Sequence, residues 1–327
     1  MKKTLFAPLF TLLPPLVLAL AATGALAQAF PDRPVRIILG YPPGGGTDLV
    51  ARLIAQPLSQ RWGQPVVVEN RPGASAIIAA DAVARAKPDG YTLLMAYATE
   101  IAVNPVTVKK LSYDPLRDFT PIIQLAGAPL VMAAHPALPV KNLRELTALA
   151  KAKPGTLSYS SSGNGSVHQF AGELFKLQTG SDILHVPYKG SGPATTDAVA
   201  GQVQLTFASA ASVLRFVQAG RLRALAVTSK KRSAQMPEVP SMVEAGLADF
   251  ELTSWYGLVA PAGTPAEIVR KIHADVAALL ENPQMQKDFA AQGLDIAGGS
   301  PQAFADFIRA ETAKFARIAR AGNITAE

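Results

Sequence analysis

The stretch Gly40-Tyr41-Pro42-Pro43-Gly44-Gly45-Gly46-Thr47-Asp48 separates two segments of different periodicity. On its N-terminal side Val35-Arg36-Ile37-Ile38-Leu39 is a short β-branched run of the kind that forms a buried strand. On its C-terminal side Leu49, Val50, Leu53, Ile54 and Leu58 recur at helical spacing, with Thr47 placed to cap the helix. The local order is strand, glycine loop, helix. Such a turn directs unsatisfied backbone N–H groups and the positive end of a helix dipole at one point, which suits an anion. A plain strand-to-helix turn that needs flexible residues accounts for the same glycines, so the loop alone leaves both readings open.

Outward from this loop the pattern repeats. Pro65-Val66-Val67-Val68-Glu69 reads as a strand and leads into Asn70-Arg71-Pro72-Gly73-Ala74. A helix is expected over 75–86, stopped by Lys87-Pro88-Asp89-Gly90, with a third strand at Tyr91–Ala96. Strands and helices alternating at this spacing predict βαβ units and a parallel sheet, with ligands beyond the carboxyl ends of the strands. The stretch 104–118 has no clean period, and 119–134 is apolar and extended. A second run of units follows. In it, strand Leu157-Ser158-Tyr159-Ser160 leads through Ser161-Ser162-Gly163-Asn164-Gly165-Ser166 to a helix carrying Val167, Phe170, Leu174, Phe175 and Leu177. This repeats the opening design with serine added. Further strands are expected at 183–187, 203–207 and 222–227, with a helix running to Ala200 after Tyr188-Lys189-Gly190-Ser191-Gly192. Stretch 250–260 is again extended and apolar, so it and 119–134 read as two passes between lobes. The end is helical from Ser300-Pro301, with an apolar stripe of Phe304, Phe307, Ile308, Phe315 and Ile318.

The first 29 residues have the form of a cleaved export signal. Lys2 and Lys3 precede an apolar core broken by Pro14-Pro15, and small residues allow cleavage after Ala27 or Ala29. A periplasmic, non-membrane-embedded protein is the expectation. The chain of 327 residues has no cysteine, which removes disulfides, thiolate metal sites and cysteine nucleophiles. Its formal charge of +7 falls to +5 without the two leader lysines, a mild excess that suits anionic ligands and is no nucleic-acid signature.

Catalytic and cofactor motifs are missing. The triple glycine does not fit the phosphate-binding G-x-x-x-x-G-K-[S/T] pattern, no dinucleotide fingerprint follows a strand, and there is no G-x-S-x-G elbow. None of His135, His168, His185 and His273 forms a metal-binding pair by spacing, so neither metal nor cofactor is expected. An exported hydrolase using Ser161, Ser162 or Ser166 with His168 is the enzymatic alternative, but no acid sits nearby to orient the imidazole. The two loops are better suited to a carboxylate, which hydroxyls, backbone N–H groups and water can hold without an arginine. Asp48 would repel such an anion unless it is turned away or paired.

Taken together, the motifs carry a family resemblance. Tyr41–Asp48, Val68-Glu69-Asn70-Arg71-Pro72-Gly73-Ala74, Pro88-Asp89-Gly90-Tyr91, Ser161–Ser166, Val186-Pro187-Tyr188-Lys189-Gly190 and Ser254-Trp255-Tyr256-Gly257 occur in order from Phe30 to the C-terminus. In these the chain resembles the Bug family, the periplasmic solute receptors of tripartite tricarboxylate transporters. The resemblance implies an α/β, two-lobed periplasmic binding protein fold with two crossing strands and parallel or mixed sheets in each lobe. Lobe 1 is expected over 30–125 plus 252–327 and lobe 2 over 126–251. It further implies a non-enzymatic, monomeric receptor that closes on a small organic carboxylate and serves inner-membrane transporter subunits or a sensor. The implied ligand-binding residues are Tyr41, Gly45, Gly46, Thr47 and Asp48 in lobe 1. In lobe 2 they are Ser161, Ser162, Gly165, Ser166 and His168, with Lys189 and Ser209. Ala98-Thr99-Glu100 occupy a rim loop that varies between members, and Glu100 facing the cleft would weigh against a tricarboxylate.

Overall fold

A computed structural model describes residues 30–325. The proposed export signal lies outside them. Strand β1 (Val35–Leu39) is followed by α1 (Gly46–Trp62), β2 (Val66–Asn70), α2 (Ile77–Ala84) and β3 (Thr92–Tyr97). β1 runs parallel to both β2 and β3, as the βαβ pattern requires. Helix α3 (Asn104–Thr107) then leads into β4 (Phe119–Ala134). The second run contains α4 (Leu143–Ala152), β5 (Ser158–Ser161), α5 (Val167–Thr179), β6 (Leu184–Pro187), α6 (Ser191–Val199), β7 (Leu205–Ser209), α7 (Ala210–Gln218) and β8 (Arg223–Val227). The chain returns along β9 (Thr253–Pro261) and ends in α8 (Ala266–Leu280), α9 (Pro283–Ala291), β10 (Asp295–Gly298) and α10 (Pro301–Ala321).

The sixteen-residue β4 joins the two lobes. Its first part, Phe119 to Pro129, pairs with β9, which in turn pairs with β3. Its last part, Leu130 to Ala134, pairs with β7 and β8. One strand therefore belongs to two sheets, ordered β2-β1-β3-β9-β4 and β4-β7-β5-β6, with β10 and β8 also on β4. Both extended apolar passes are strands, as the sequence predicts, because each is buried on both faces. On the side of α10, Phe304 meets the fully buried Trp255 of β9 edge-on and Phe315 meets Phe170 of α5 at 5.0 Å, so the last helix touches both lobes. Among the described residues no helix is long and apolar enough to cross a membrane.

Three local expectations change. Thr47 does not cap α1: the cap position is Gly45, and Thr47 is buried inside the first turn. The helix expected over 75–86 begins only at Ile77, because Ala74, Ser75 and Ala76 all take left-handed φ values of 47°, 52° and 68°. Gly40 accommodates that turn, since a Cβ there would lie 2.2 Å from the Ala76 Cβ. The stretch without a clean period opens on a helical turn, α3, preceded by a π-helical turn at Thr99–Val103. Such wide turns recur at functional sites.

Candidate functional site

The first-lobe glycine loop is tied by a side chain from its own helix. The carboxylate of Asp48 accepts from the Gly44 N–H at 2.9 Å, the Asn70 amide at 2.9 Å and Arg52 Nε at 3.0 Å. Asn70 also donates to the Tyr41 carbonyl, so both ends of the loop are tied. Burial alone would raise the Asp48 carboxyl, but the Arg52 guanidinium, the Gly44 N–H and the Asn70 amide outweigh it and hold it at about 2. Asp48 is thus a buried, paired anion that knots the loop. Gly44 has a φ of 84°, which favours glycine, and Gly46 leaves no room for a side chain, since a Cβ would sit 2.6 Å from the Tyr256 hydroxyl.

The second-lobe loop is held by neutral groups. Ser166 caps α5 by accepting from the Gln169 N–H at 3.2 Å and donates to the Gly163 carbonyl at 2.6 Å. The Gln169 side chain accepts from the Gly165 N–H at 2.7 Å. Ser162 Oγ lies 2.5 Å from His168 Nδ1. Burial pushes the His168 ring down to about 4, so it is neutral at physiological pH. Ser161 is fully buried and bonds to His185 Nε2 at 2.6 Å, away from the cleft.

Between the loops lies a cavity of about 670 Å³. Of the residues singled out in the sequence, Tyr41, Gly45, Gly46, Thr47, Ser162, Gly165, Ser166, His168 and Ser209 line it. Three do not. Asp48 is withdrawn into its knot, Ser161 is committed to the sheet, and Lys189 is exposed beside Gly190, which does line the cavity. Sequence reading missed a wall formed by Tyr97, Ser254 and Tyr256. Their pattern carries no chemical signature, and only the β3–β9 pairing, with Tyr97 opposite Tyr256, brings them together. It also missed Ser75 on the left-handed turn, and Ser191 and Ser212 on the first turns of α6 and α7. The N-terminal turns of α1, α5, α6 and α7 all reach this one cavity.

No Lys, Arg, Asp or Glu side chain lines the cavity among the described residues. Anion recognition falls to hydroxyls, first-turn N–H groups and helix dipoles. Ser162 and His168 have the nucleophile–base contact distance, yet no carboxylate bonds to His168 among the described residues and the ring is a weak base. Among the described residues, no three His, Asp or Glu side chains converge as a metal site.

A two-lobed α/β scaffold with a polar, uncharged cleft at the strand ends defines a solute-binding protein. The particular family is shown by comparison: the model of the tripartite tricarboxylate transporter family receptor matches residues 50–324, and the chain belongs to that family. It is 37% identical over 295 residues to protein BugT of Bordetella pertussis, covering 90% of each chain. Among solved structures, one from R. palustris with adipate is 38% identical with a TM-score of 0.82, covering 90% of this chain and 99% of the other. MatC from Rhodopseudomonas palustris with bound malate is 31% identical with a TM-score of 0.77, covering 88% and 99%. The family is one of solute-binding receptors.

Proposed function

We propose that the chain is exported and captures a small organic carboxylate between its lobes, 30–125 plus 252–327 on one side and 126–251 on the other. The observation that carries this reading is the cavity lined from both lobes by helix first turns and hydroxyls without a charged side chain. One carboxylate bridges the Gly45–Thr47 turn and the Ser162–Ser166 loop, and such contacts to both lobes favour the closed state. The bound structures of the R. palustris relative with adipate and of MatC with malate support the ligand class. The closed form then serves the membrane subunits of a tripartite tricarboxylate transporter, and the protein works as a monomer without turnover of its ligand. A thermal-shift screen with mono-, di- and tricarboxylates tests the reading. A ligand at one hundred times its Kd adds about 2.7 kcal/mol of stability. If carboxylates leave the melting temperature unchanged while neutral sugars raise it, the reading is wrong. Ester turnover that disappears in Ser162→Ala would instead establish a hydrolase.

A further inference from the structure

Glu100 does not face the cleft. It is fully buried in the π-helical turn and lies behind the tyrosine wall. Both carboxyl oxygens are committed to that wall: Oε1 accepts from the Tyr97 N–H at 2.8 Å, and Oε2 is 2.7 Å from the Tyr41 hydroxyl. Its backbone carbonyl accepts from the Tyr113 hydroxyl at 2.7 Å. Tyr41 and Tyr97 are packed edge-on at 5.4 Å, Tyr97 lies 5.2 Å from Tyr256, and all three line the cavity. One acid side chain therefore holds the Tyr41 hydroxyl directly and fixes the backbone from which the Tyr97 ring reaches the ligand-facing wall.

Among the described residues no cation pairs with this acid. The titratable groups facing its carboxyl are Tyr41 from the glycine loop and Tyr97 from the end of β3, with Tyr113 from the loop after α3 on its backbone side. α2 carries Asp81, which is paired with Arg85. α10 packs on the same turn and carries Asp306 with Arg309 and Glu311 with Lys314, each closed into its own ion pair. α3 contributes no ionisable side chain. A buried carboxyl without a cationic partner favours its neutral form. Burial pushes Glu100 up to about 8, against the opposing hydrogen bonds from Tyr41, its own backbone and Tyr97.

We infer that Glu100 is a positioning residue for the ligand-facing wall and that its proton makes ligand capture pH-dependent. This rests on the carboxylate reading of the cleft. In the neutral state one oxygen accepts from Tyr97, and the protonated oxygen exchanges a hydrogen bond with the Tyr41 hydroxyl. When pH rises, the proton leaves to solvent and the Tyr41 hydroxyl donates to the carboxylate. A negative charge then stands behind the wall and opposes an anionic ligand. The bound anion in turn holds the Glu100 proton more tightly, so affinity is full below the titration and falls as pH rises through it.

The test uses the full exported protein with adipate and with malate as probes, titrated by calorimetry from about pH 6 to about pH 9. The wild type is expected to lose at least about three-fold in affinity across the upper part of this range. Glu100→Gln keeps an acceptor for Tyr97 and an amide donor for Tyr41, and its profile is expected to lack that step. Glu100→Ala loses affinity at every pH, and the glutamine variant restores part of it. Infrared spectra without ligand give an independent reading: the carbonyl band of a buried protonated carboxyl should be present at neutral pH and missing in Glu100→Gln. Identical pH profiles for wild type and Glu100→Gln, or no such band, overturn the inference. If the wild type binds neither probe nor any other carboxylate while the band is present, the carboxylate reading of the cleft falls and the coupling to capture falls with it. The band then leaves Glu100 standing only as a buried neutral acid.

Discussion

The two loops that face each other across the cleft have the same design and opposite means of support. The glycine loop of β1–α1 is held by an ionised knot of Asp48, Arg52, Asn70 and the Gly44 N–H, turned away from the cavity. The serine loop of β5–α5 is held by hydroxyls, an amide and a neutral imidazole. Both solutions keep side-chain charge off the cavity wall. The first does it by pairing a charge and withdrawing it, the second by using none. An anion can then meet two helix N-termini without a fixed charge competing for it or against it.

Breaking the ionised knot should have the largest effect. Asp48→Ala removes the buried carboxylate that accepts from the Gly44 N–H, the Asn70 amide and the half-exposed Arg52, and should cost about 3 kcal/mol in denaturant unfolding. A loss below about 1 kcal/mol would mean that the glycine loop does not depend on the knot. Gly46→Val is aimed at the cleft instead. Its side chain meets the Tyr256 hydroxyl, so carboxylate affinity should fall by about a hundred-fold, near 2.7 kcal/mol, measured by calorimetry.

The neutral loop should show itself through pH. His168 is held below its ordinary 6.5, at about 4, so the unfolded chain takes up this proton before the folded one. The stability it contributes is complete above pH 6.5 and is lost as pH falls toward 4, on the order of 3 kcal/mol in all. His168→Gln should flatten the stability curve in that window. An unchanged slope would mean that other groups carry the acid sensitivity. The smallest change is Ser166→Ala. It removes the α5 cap and should lower stability by about 1 kcal/mol while also weakening carboxylate binding. Loss of stability with binding intact would assign Ser166 to capping alone.

These contrasts also mark how far the residues were legible beforehand. Strand β1, the long β4 and the serine-capped α5 follow from local pattern, and the structure has all three. The left-handed turn at Ala74–Ala76 was not legible, because those residues ordinarily favour the right-handed helix. Thr47 has the chemistry of a cap, but the preceding glycines let the helix begin two residues earlier and place Thr47 within it. Asp48 could be read as a first-turn acid. Its withdrawal from the cleft depends on Asn70, which arrives from the neighbouring strand.

The sequence by itself determined where the strand–loop–helix turns lie and that the cleft had no nucleotide or metal motif, since periodicity, glycine freedom and motif spacing are local properties. Its resemblance to one receptor family agreed with the matched family model. Tertiary structure alone decided which side chains face the ligand. The antiparallel register of β3 and β9 sets Tyr97 opposite Tyr256, the loop before α1 lays Tyr41 against Tyr97, and the π-helical turn buries Glu100 behind them. The three tyrosines are separated by tens to hundreds of residues in the chain, and their contact comes from strand pairing and packing rather than from any pattern within one segment.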